Sequence, residues 1–455
     1  MSLLTTILAF AFALGALIVV HEYGHYLAAR LCKVRVLRFS VGFGRVIWSR
    51  RYGRDQTEWA ISAFPLGGYV KMLDEREGKV APEDLARAFN RQSVYRRYVI
   101  VAAGPVANFL LAILLYWLIY MHGIPGLSPV IGAVAPGSPA AASQFAPGET
   151  LIKIGPQAVA TWQDARWILL KHAVEKSVVV LEVRNERNEI AWRKLDLSQF
   201  GSAGLDGDFL RALGFVRLQP PLPPVIGQVL PGGAAERGGL QANDEIVAIN
   251  GDAVTRWEQI VATVSANAGR ELMFVAKRDA AGTIRIAVTP DAVLENGERI
   301  GRIGAAARID REALQKYVVE VRYPPLASLG KALERTWDTS VFSLKMLGKM
   351  ITGEVSLKNL SGPLTIADYA GQSARVGWLP YLVFLALISI SLGVLNLLPI
   401  PLLDGGHLMY YMVEIIKGSP VSDKAIEVGQ NVGMAVLFML MSFALYNDIN
   451  RLIHG

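Results

Sequence analysis

The chain has 455 residues, with 46 Lys+Arg, 39 Asp+Glu and one cysteine. Hydrophobic residues make up 52% and charged residues 19%, with a mean hydropathy of +0.33; soluble domains carry about 25% charge, so this chain is too apolar to be soluble throughout, and disorder is excluded. Cys32 alone excludes a disulfide scaffold, and the net charge of +7 is concentrated, because residues 30–97 hold 15 Lys+Arg against 7 Asp+Glu.

The first apolar stretch runs from about Leu3 to Ala29, and about 20 such residues cross a bilayer. It has no basic n-region and no cleavage site, so it reads as a span and not as a signal peptide. Its end reads His21-Glu22-Tyr23-Gly24-His25, an H-E-x-x-H pattern. Positions i and i+4 share a helix face about 6 Å apart. His21 and His25 therefore reach one Zn2+, with Glu22 beside them as general base. Ionisable groups at membrane depth are costly unless they serve a site; the bland alternative is a polar cluster that caps the helix end.

The basic segment 31–97 follows. By the positive-inside rule it faces the cytoplasm, the N-terminus faces out, and the charge is a topology signal, not a nucleic-acid footprint. Within it Ala60–Met72 alternates and contains Pro65 and Gly67-Gly68. A second span runs from about Tyr98 to Tyr120, with Gly104-Pro105 predicting a kink.

Residues 122–320 then read as short β-rich runs with Gly, Pro and Asn turns, on the outer side. This region repeats itself at an offset of 95 residues, with 12 identities over the 34 positions from Pro129 to Trp162. Pro129-Val130-Ile131-Gly132 recurs as Pro224-Val225-Ile226-Gly227, and Glu149 is matched by Asp244. The second copy predicts a short helix over Glu236–Leu240 and a hairpin turn at Asn250-Gly251. Its segment PGGAAERGGLQANDEIVAINGDAV resembles a PDZ domain of the bacterial protease type, except that Asn243 stands where that family usually has Gly. Asn tolerates the left-handed conformation better than most residues. PDZ modules add a peptide strand to a sheet edge; here the pair either binds peptide ligands or only blocks access.

Residues Ala327–Ile351 carry Leu329, Leu333, Trp337, Val341, Leu344 and Leu347 at helical spacing. That predicts an amphipathic helix on the outer membrane face. Two further spans run from about Leu379 to Leu398 and from about Val428 to Leu445.

Catalytic Zn2+ takes three protein ligands and an open position. By the alternation of spans, His122, His172 and His454 fall on the outer side. His407 and Asp404 both fall on the inner side, so both stand as candidates for the third ligand.

Asn396-x-x-Pro399-x-Pro401-x-Leu403-Asp404-Gly405, paired with the distant H-E-x-x-H, resembles the site-2 protease family of intramembrane zinc metalloproteases. Gly42-Phe43-Gly44, Phe64–Met72, Gly104–Phe109 and Asn359–Pro363 extend the resemblance over most of the chain. It implies Asp404 as the third ligand. It also implies Asn396, Pro399 and Pro401 as substrate-binding positions, with Asn396 contacting the substrate backbone near the oxyanion. The segment with Gly67 and Gly68 becomes a membrane-re-entrant β-hairpin that pairs with an unwound substrate.

The expected fold is a polytopic α-helical membrane protein, with four transmembrane helices and two tandem PDZ domains between helices 2 and 3. The parts are a first span (1–30), a cytoplasmic loop (31–97), a second span (98–121), two PDZ copies (122–220 and 221–310) and an amphipathic region (311–378). A third span (379–400), a cytoplasmic link (401–426), a fourth span (427–447) and an outer tail (448–455) complete it. The resemblance implies one Zn2+, a bacterial inner-membrane location with both termini periplasmic, and an active site near the cytoplasmic side. Its implied substrates are single-pass membrane proteins, such as an anti-sigma factor already trimmed outside, and remnant signal peptides. A non-catalytic PDZ-bearing scaffold is the alternative from another class; a transporter fits poorly with four spans and a large outer domain.

Overall fold

A computed structural model describes residues 3–76, 78–201, 208–218, 222–278, 282–295, 298–308, 315–357 and 360–454; Asn359 lies outside them. The chain divides into two compact units, one of Met1–Ile124, Gly201–Asp206 and Glu320–Gly455, the other of Pro125–Phe200 and Gly207–Val319.

The first unit is helical around one β-hairpin. It contains α1 (Leu3–Leu31), β1 (Val36–Tyr52), β2 (Thr57–Met72), α2 (Val94–His122), α3 (Pro325–Ile351), α4 (Pro363–Val376), α5 (Trp378–Asn396), α6 (Asp404–Lys417) and α7 (Asp423–His454). Among the described residues four helices are long and apolar enough to cross a membrane: α1, α2, α5 and the Asp423–Arg451 part of α7. The helices α2 and α7 overrun their apolar stretches, beginning at Val94 and Asp423. Backbone hydrogen bonding continues through polar turns that hydropathy does not mark. Pro105 lies inside α2 without ending it.

α1, α2 and α5 pack around Ala13, Ala112, Tyr116, Ile119, Leu385, Ala386, Ile390 and Val394. Small residues let the axes approach: a Cβ on Gly24 of α1 would lie 2.8 Å from that of Ala107 on α2. α3 inverts the soluble-protein rule. Its buried residues are Ser328, Ala332, Thr336 and Thr339. Trp337 of the predicted apolar stripe is 71% exposed, and Leu333 and Leu344 are exposed too. Helices in lipid bury small residues against one another and turn large apolar ones outward.

The hairpin is four segments wide. Arg38–Val41 pairs with Glu58–Ile61 on one side and with Gly68–Lys71 on the other, while Trp48–Tyr52 pairs with Thr57–Ile61. Gly42 and Gly44 adopt positive φ where β1 changes partner, which residues with a Cβ seldom do. At the far end of the unit, Asp448 of α7 accepts bonds from the amides of Gly362, Leu364 and Thr365. It thereby caps the N-terminus of α4 with a side chain from another helix.

The second unit holds both copies of the repeat. Each has a four-stranded sheet of the same order. In the first copy the strands Gln157–Ala158, Thr150–Ile154, Val178–Arg184 and Ile190–Asp196 are neighbours in turn. In the second they are Asp252–Ala253, Glu245–Ile249, Leu272–Arg278 and Gly282–Val288. Backbone conformation repeats as well: Gly137 and Gly232 have φ of 72° and 75°, Gly155 and Asn250 of 56° and 54°. Gly148 (85°) is matched by Asn243 (71°), so the Asn that replaces a usual Gly adopts the left-handed conformation. The short helix runs over Ala234–Gly238, two residues earlier than expected. Gly239 closes it in the left-handed conformation, so Leu240 lies beyond the helix, buried in the core with Ile246, Ile249 and Phe274.

The acids at the matched positions find different partners. Glu149 pairs with Arg193 on the fourth strand of its sheet, at 2.5 Å. Asp244 pairs with Arg278, on the third strand, at 2.7 Å. Leu181 lies opposite Arg193, and its counterpart Phe274 lies opposite Ile286, so Ile286 occupies the place of Arg193. Burial pushes the Asp244 carboxyl up, but the Arg278 guanidinium and the Gln241 amide outweigh this and hold it below the usual carboxylate value.

Candidate metal centre

The site lies among α1, α2, β2 and the turn between α5 and α6. His21 and His25 stand one turn apart on α1, rings edge to face with centroids 4.9 Å apart. Their Nε2 atoms are 3.2 Å apart. Asp404, first residue of α6, brings Oδ2 to 3.1 Å from His21 Nε2 and 3.5 Å from His25 Nε2. One ligand atom from each of the three lies within 4.8 Å of the others.

The turn that delivers Asp404 is made by its neighbours. Leu402 has a φ of 93°, a conformation rare for a side chain of its size. A Cβ on Gly406 would meet the Ile400 carbonyl at 2.5 Å, and one on Gly405 would meet Leu397 as closely. Without Cβ atoms there, the first turn of α6 closes against residues 397–401. Pro401 packs against Gly406 and Gly433.

Hydrogen bonds fix the imidazole tautomers. His25 Nδ1–H donates to the Ile100 carbonyl on α2 at 2.9 Å, which leaves Nε2 as the lone-pair atom. Asn108 on α2, fully buried, puts its amide nitrogen 3.1 Å from His21 Nδ1, while its Oδ1 has no partner. Rotating that amide by a half-turn lets Oδ1 accept from His21 Nδ1–H and removes the orphaned acceptor. Both Nε2 lone pairs then face Asp404 Oδ2, itself buried without a hydrogen-bond donor. Three acceptors converge on one point, which a cation satisfies; two imidazoles and a carboxylate suit Zn2+, and the bonds to Nδ1 are the usual outer-shell support.

A cavity of about 590 Å³ opens beside these atoms. Glu22, His407, Gly67, Gly68, Tyr69 and Asn396 are among its lining residues. Gly68 runs against Glu22, where a Cβ would lie 2.9 Å from Glu22 Cγ. The structure thus brings together His21, Glu22, His25, Asp404, Asn396, Gly67 and Gly68. Pro399 and Pro401 do not line the cavity, and His407 does so without joining the convergent trio. Sequence reading missed Asn108 and the Ile100 carbonyl as partners of the two histidines. Asn108 was visible only as a polar residue inside an apolar span, four residues after Gly104.

Apolar helices that carry an H-E-x-x-H turn against a buried carboxylate define a class, the membrane-embedded metallopeptidases. The profile of peptidase family M50 matches residues 9–440. The chain is 41% identical over 455 residues to "Regulator of sigma-E protease RseP" of Escherichia coli, covering 99% of this chain and 100% of that one. It is 43% identical over 472 residues to a "Putative zinc metalloprotease" of Ralstonia nicotianae, with the same coverage. It is 40% identical over 454 residues to another so named in Vibrio cholerae, covering 99% of each. The chain belongs to peptidase family M50, the site-2 protease family.

Proposed function

We propose that the chain is an intramembrane zinc endopeptidase that cuts single-pass membrane proteins. The observation that carries this reading is the convergence of His21 Nε2, His25 Nε2 and Asp404 Oδ2, with Glu22 on the same helix turn. In the reading these three residues hold the metal. A bound Zn2+ would supply a Lewis acid for the scissile carbonyl and make the attacking water acidic near neutral pH. Glu22 accepts that water's proton and passes it to the leaving amine. Asn396 donates to the substrate backbone near the developing oxyanion. Asn108 and the Ile100 carbonyl keep both imidazoles in the ligating tautomer throughout.

A helical substrate has its amides tied up in its own bonds, so it must unwind first. The backbone of β2 at Gly67-Gly68 lines the cavity and is read as the edge to which the unwound strand adds. The two repeat copies are read as PDZ domains on the periplasmic side that bind peptides or filter access. The site then lies near the cytoplasmic face of a bacterial inner membrane. The name of the Escherichia coli relative ties that protein to sigma-E regulation; in keeping with it, the substrate is read as a pre-cleaved anti-sigma factor, and remnant signal peptides are proposed as a second class.

The test uses purified full-length protein, with zinc measured per chain and cleavage of a transmembrane reporter followed for wild type and Glu22→Gln. The reading expects one zinc in both and cleavage in the wild type alone. Cleavage by Glu22→Gln at the wild-type rate, or active protein without zinc, removes the chemistry.

A further inference from the structure

A second cavity, of about 350 Å³, is lined by Arg30, Lys33, Val34, Arg54, Asp55 and Arg87. Three parts of the chain build it: the end of α1, the turn between β1 and β2, and the short 3-10 helix Pro82–Arg87. Its single carboxylate is spoken for, because Arg87 pairs with Asp55 at 2.6 Å. Arg30, Lys33 and Arg54 make no ion pair with a carboxylate among the described residues, although Asp55 lies close enough to Arg30 to attract it. Arg30 is held from the side by a bond to the Tyr26 hydroxyl at 3.0 Å, and it reaches the hairpin turn at Gly53.

Lys33 is held by the backbone. It occupies the left-handed position, φ 64°, of a helix end in which Lys33 N–H bonds to the Arg30 carbonyl and Val34 N–H to that of Ala29. Glycine usually fills that position, and a side chain kept there is a pointer to use. The depth of the cavity is also marked. Arg30 lies in the last turn of a membrane span, and Leu31, Trp48 and Tyr52 beside the cavity's elements are 75%, 53% and 73% exposed. Aromatic and aliphatic surface at the end of a span belongs in the headgroup layer.

We propose that this cavity binds a phosphate-bearing anion, with the Arg30 and Arg54 guanidiniums and the Lys33 ammonium around the phosphate oxygens. Two guanidiniums and an ammonium match a phosphate's several acceptors better than a single carboxylate does. The source is either the phosphodiester of an anionic lipid headgroup or a soluble phosphate. The site is separate from the metal centre and stands whether or not the peptidase reading does.

The experiment compares three full-length proteins: wild type, the triple variant R30Q/K33Q/R54Q, and a control R45Q/R50Q/K79Q. The control removes the same charge from exposed positions of the same segment. Each is taken from phosphatidylcholine vesicles containing phosphatidylglycerol into neutral detergent, and retained phosphatidylglycerol is counted by native mass spectrometry. No anionic surface remains in neutral detergent, so the control should change little, while loss of three direct charge-assisted contacts should weaken retention by about a hundredfold or more in the cavity triple. The single variant R54Q, in an exposed turn, should lose about tenfold with zinc content unchanged, which guards against a folding artefact. In a second arm inorganic phosphate is titrated. Displacement of phosphate by phosphatidylglycerol assigns the headgroup, and phosphate binding that the lipid does not displace assigns a soluble compound. Equal losses in the two triples, or binding of neither ligand by wild type, overturns the proposal.

Discussion

Gly104 sits on α2 against the Nε2–Cε1 edge of the His25 ring and beside His21 Cε1. A Cβ there would lie 2.6 Å from His25 Cε1 and 2.9 Å from His21 Cε1, and nearer still to His25 Nε2. Carbon atoms make contact at about 3.5 Å, so the Cε1 contact alone requires Gly104→Ala to move the His25 ring by about 0.9 Å, and the closer Nε2 contact by more, unless α2 moves away from α1. Retreat of α2 is opposed by the Gly24 contact, where the same helices already touch. Metal–ligand distances tolerate about 0.2 Å, so the shift exceeds that tolerance several-fold. The strain is that of one overpacked methyl group, about 1–3 kcal/mol, which leaves the bundle folded. The expected result is protein of near-normal yield and thermal stability that retains little zinc and does not cleave. Zinc per chain after dialysis against a weak chelator, measured beside the melting temperature, reads both quantities. Full zinc occupancy in Gly104→Ala would refute the packing argument, because the ligand sphere would then have accommodated a methyl group that has no room.

Asn108→Ala removes only the partner of His21 Nδ1 and should weaken zinc binding about 10–100-fold, with excess zinc restoring cleavage; equal affinity would show that the amide does not orient the ring. Gly68→Ala places its Cβ against Glu22 and should lower cleavage while zinc content stays at the wild-type level, as metal analysis beside a reporter assay would show. In the second repeat copy, Ile246→Ala, in the buried core, should cost about 2–5 kcal/mol of that module's stability, seen as faster hydrogen exchange over residues 222–308 with unchanged zinc. The Asp244 carboxyl has a folded pKa below its unfolded value, so its stabilisation is present above the unfolded value and is lost as pH falls through the folded one. Amide protection factors in that module, which correct for the slower intrinsic exchange in acid, should therefore fall on acidification below about pH 4, and less so in Asp244→Asn.

The approach of His21 to His25 follows from the helical repeat, which is local and visible in five residues. The four apolar helices follow from length, because the bilayer sets it. The left-handed position at Asn243 was visible because it stands where the resembled family usually has Gly, and a tight turn limits which residues fit. What could not be read required knowing which helix lies against which. Asn108 is 87 positions from His21, and no spacing rule joins them. The outward side of α3 was legible: Leu333, Trp337 and Leu344 of the stripe read as membrane-facing are exposed, whereas the small residues Ser328, Ala332, Thr336 and Thr339 that it buries carry no hydropathy signal. The hairpin's fourfold width depends on Gly42 and Gly44, which look like ordinary loop glycines until the strand is seen to change partners.

The exchange of partners between Glu149–Arg193 and Asp244–Arg278 restricts how the duplicated modules could have diverged. A buried carboxylate left without its cation is strongly destabilising, so the guanidinium could not first vanish from one strand and later arise on another. In each copy the acid therefore depends on the one arginine placed to meet it, and a sequence that carries both arginines in one copy avoids the unpaired state. The same restriction applies to grafting. The third and fourth strands can be transplanted between copies only as a pair, and exchanging the fourth alone would strand Glu149 in the first copy while giving the second an arginine it has no use for.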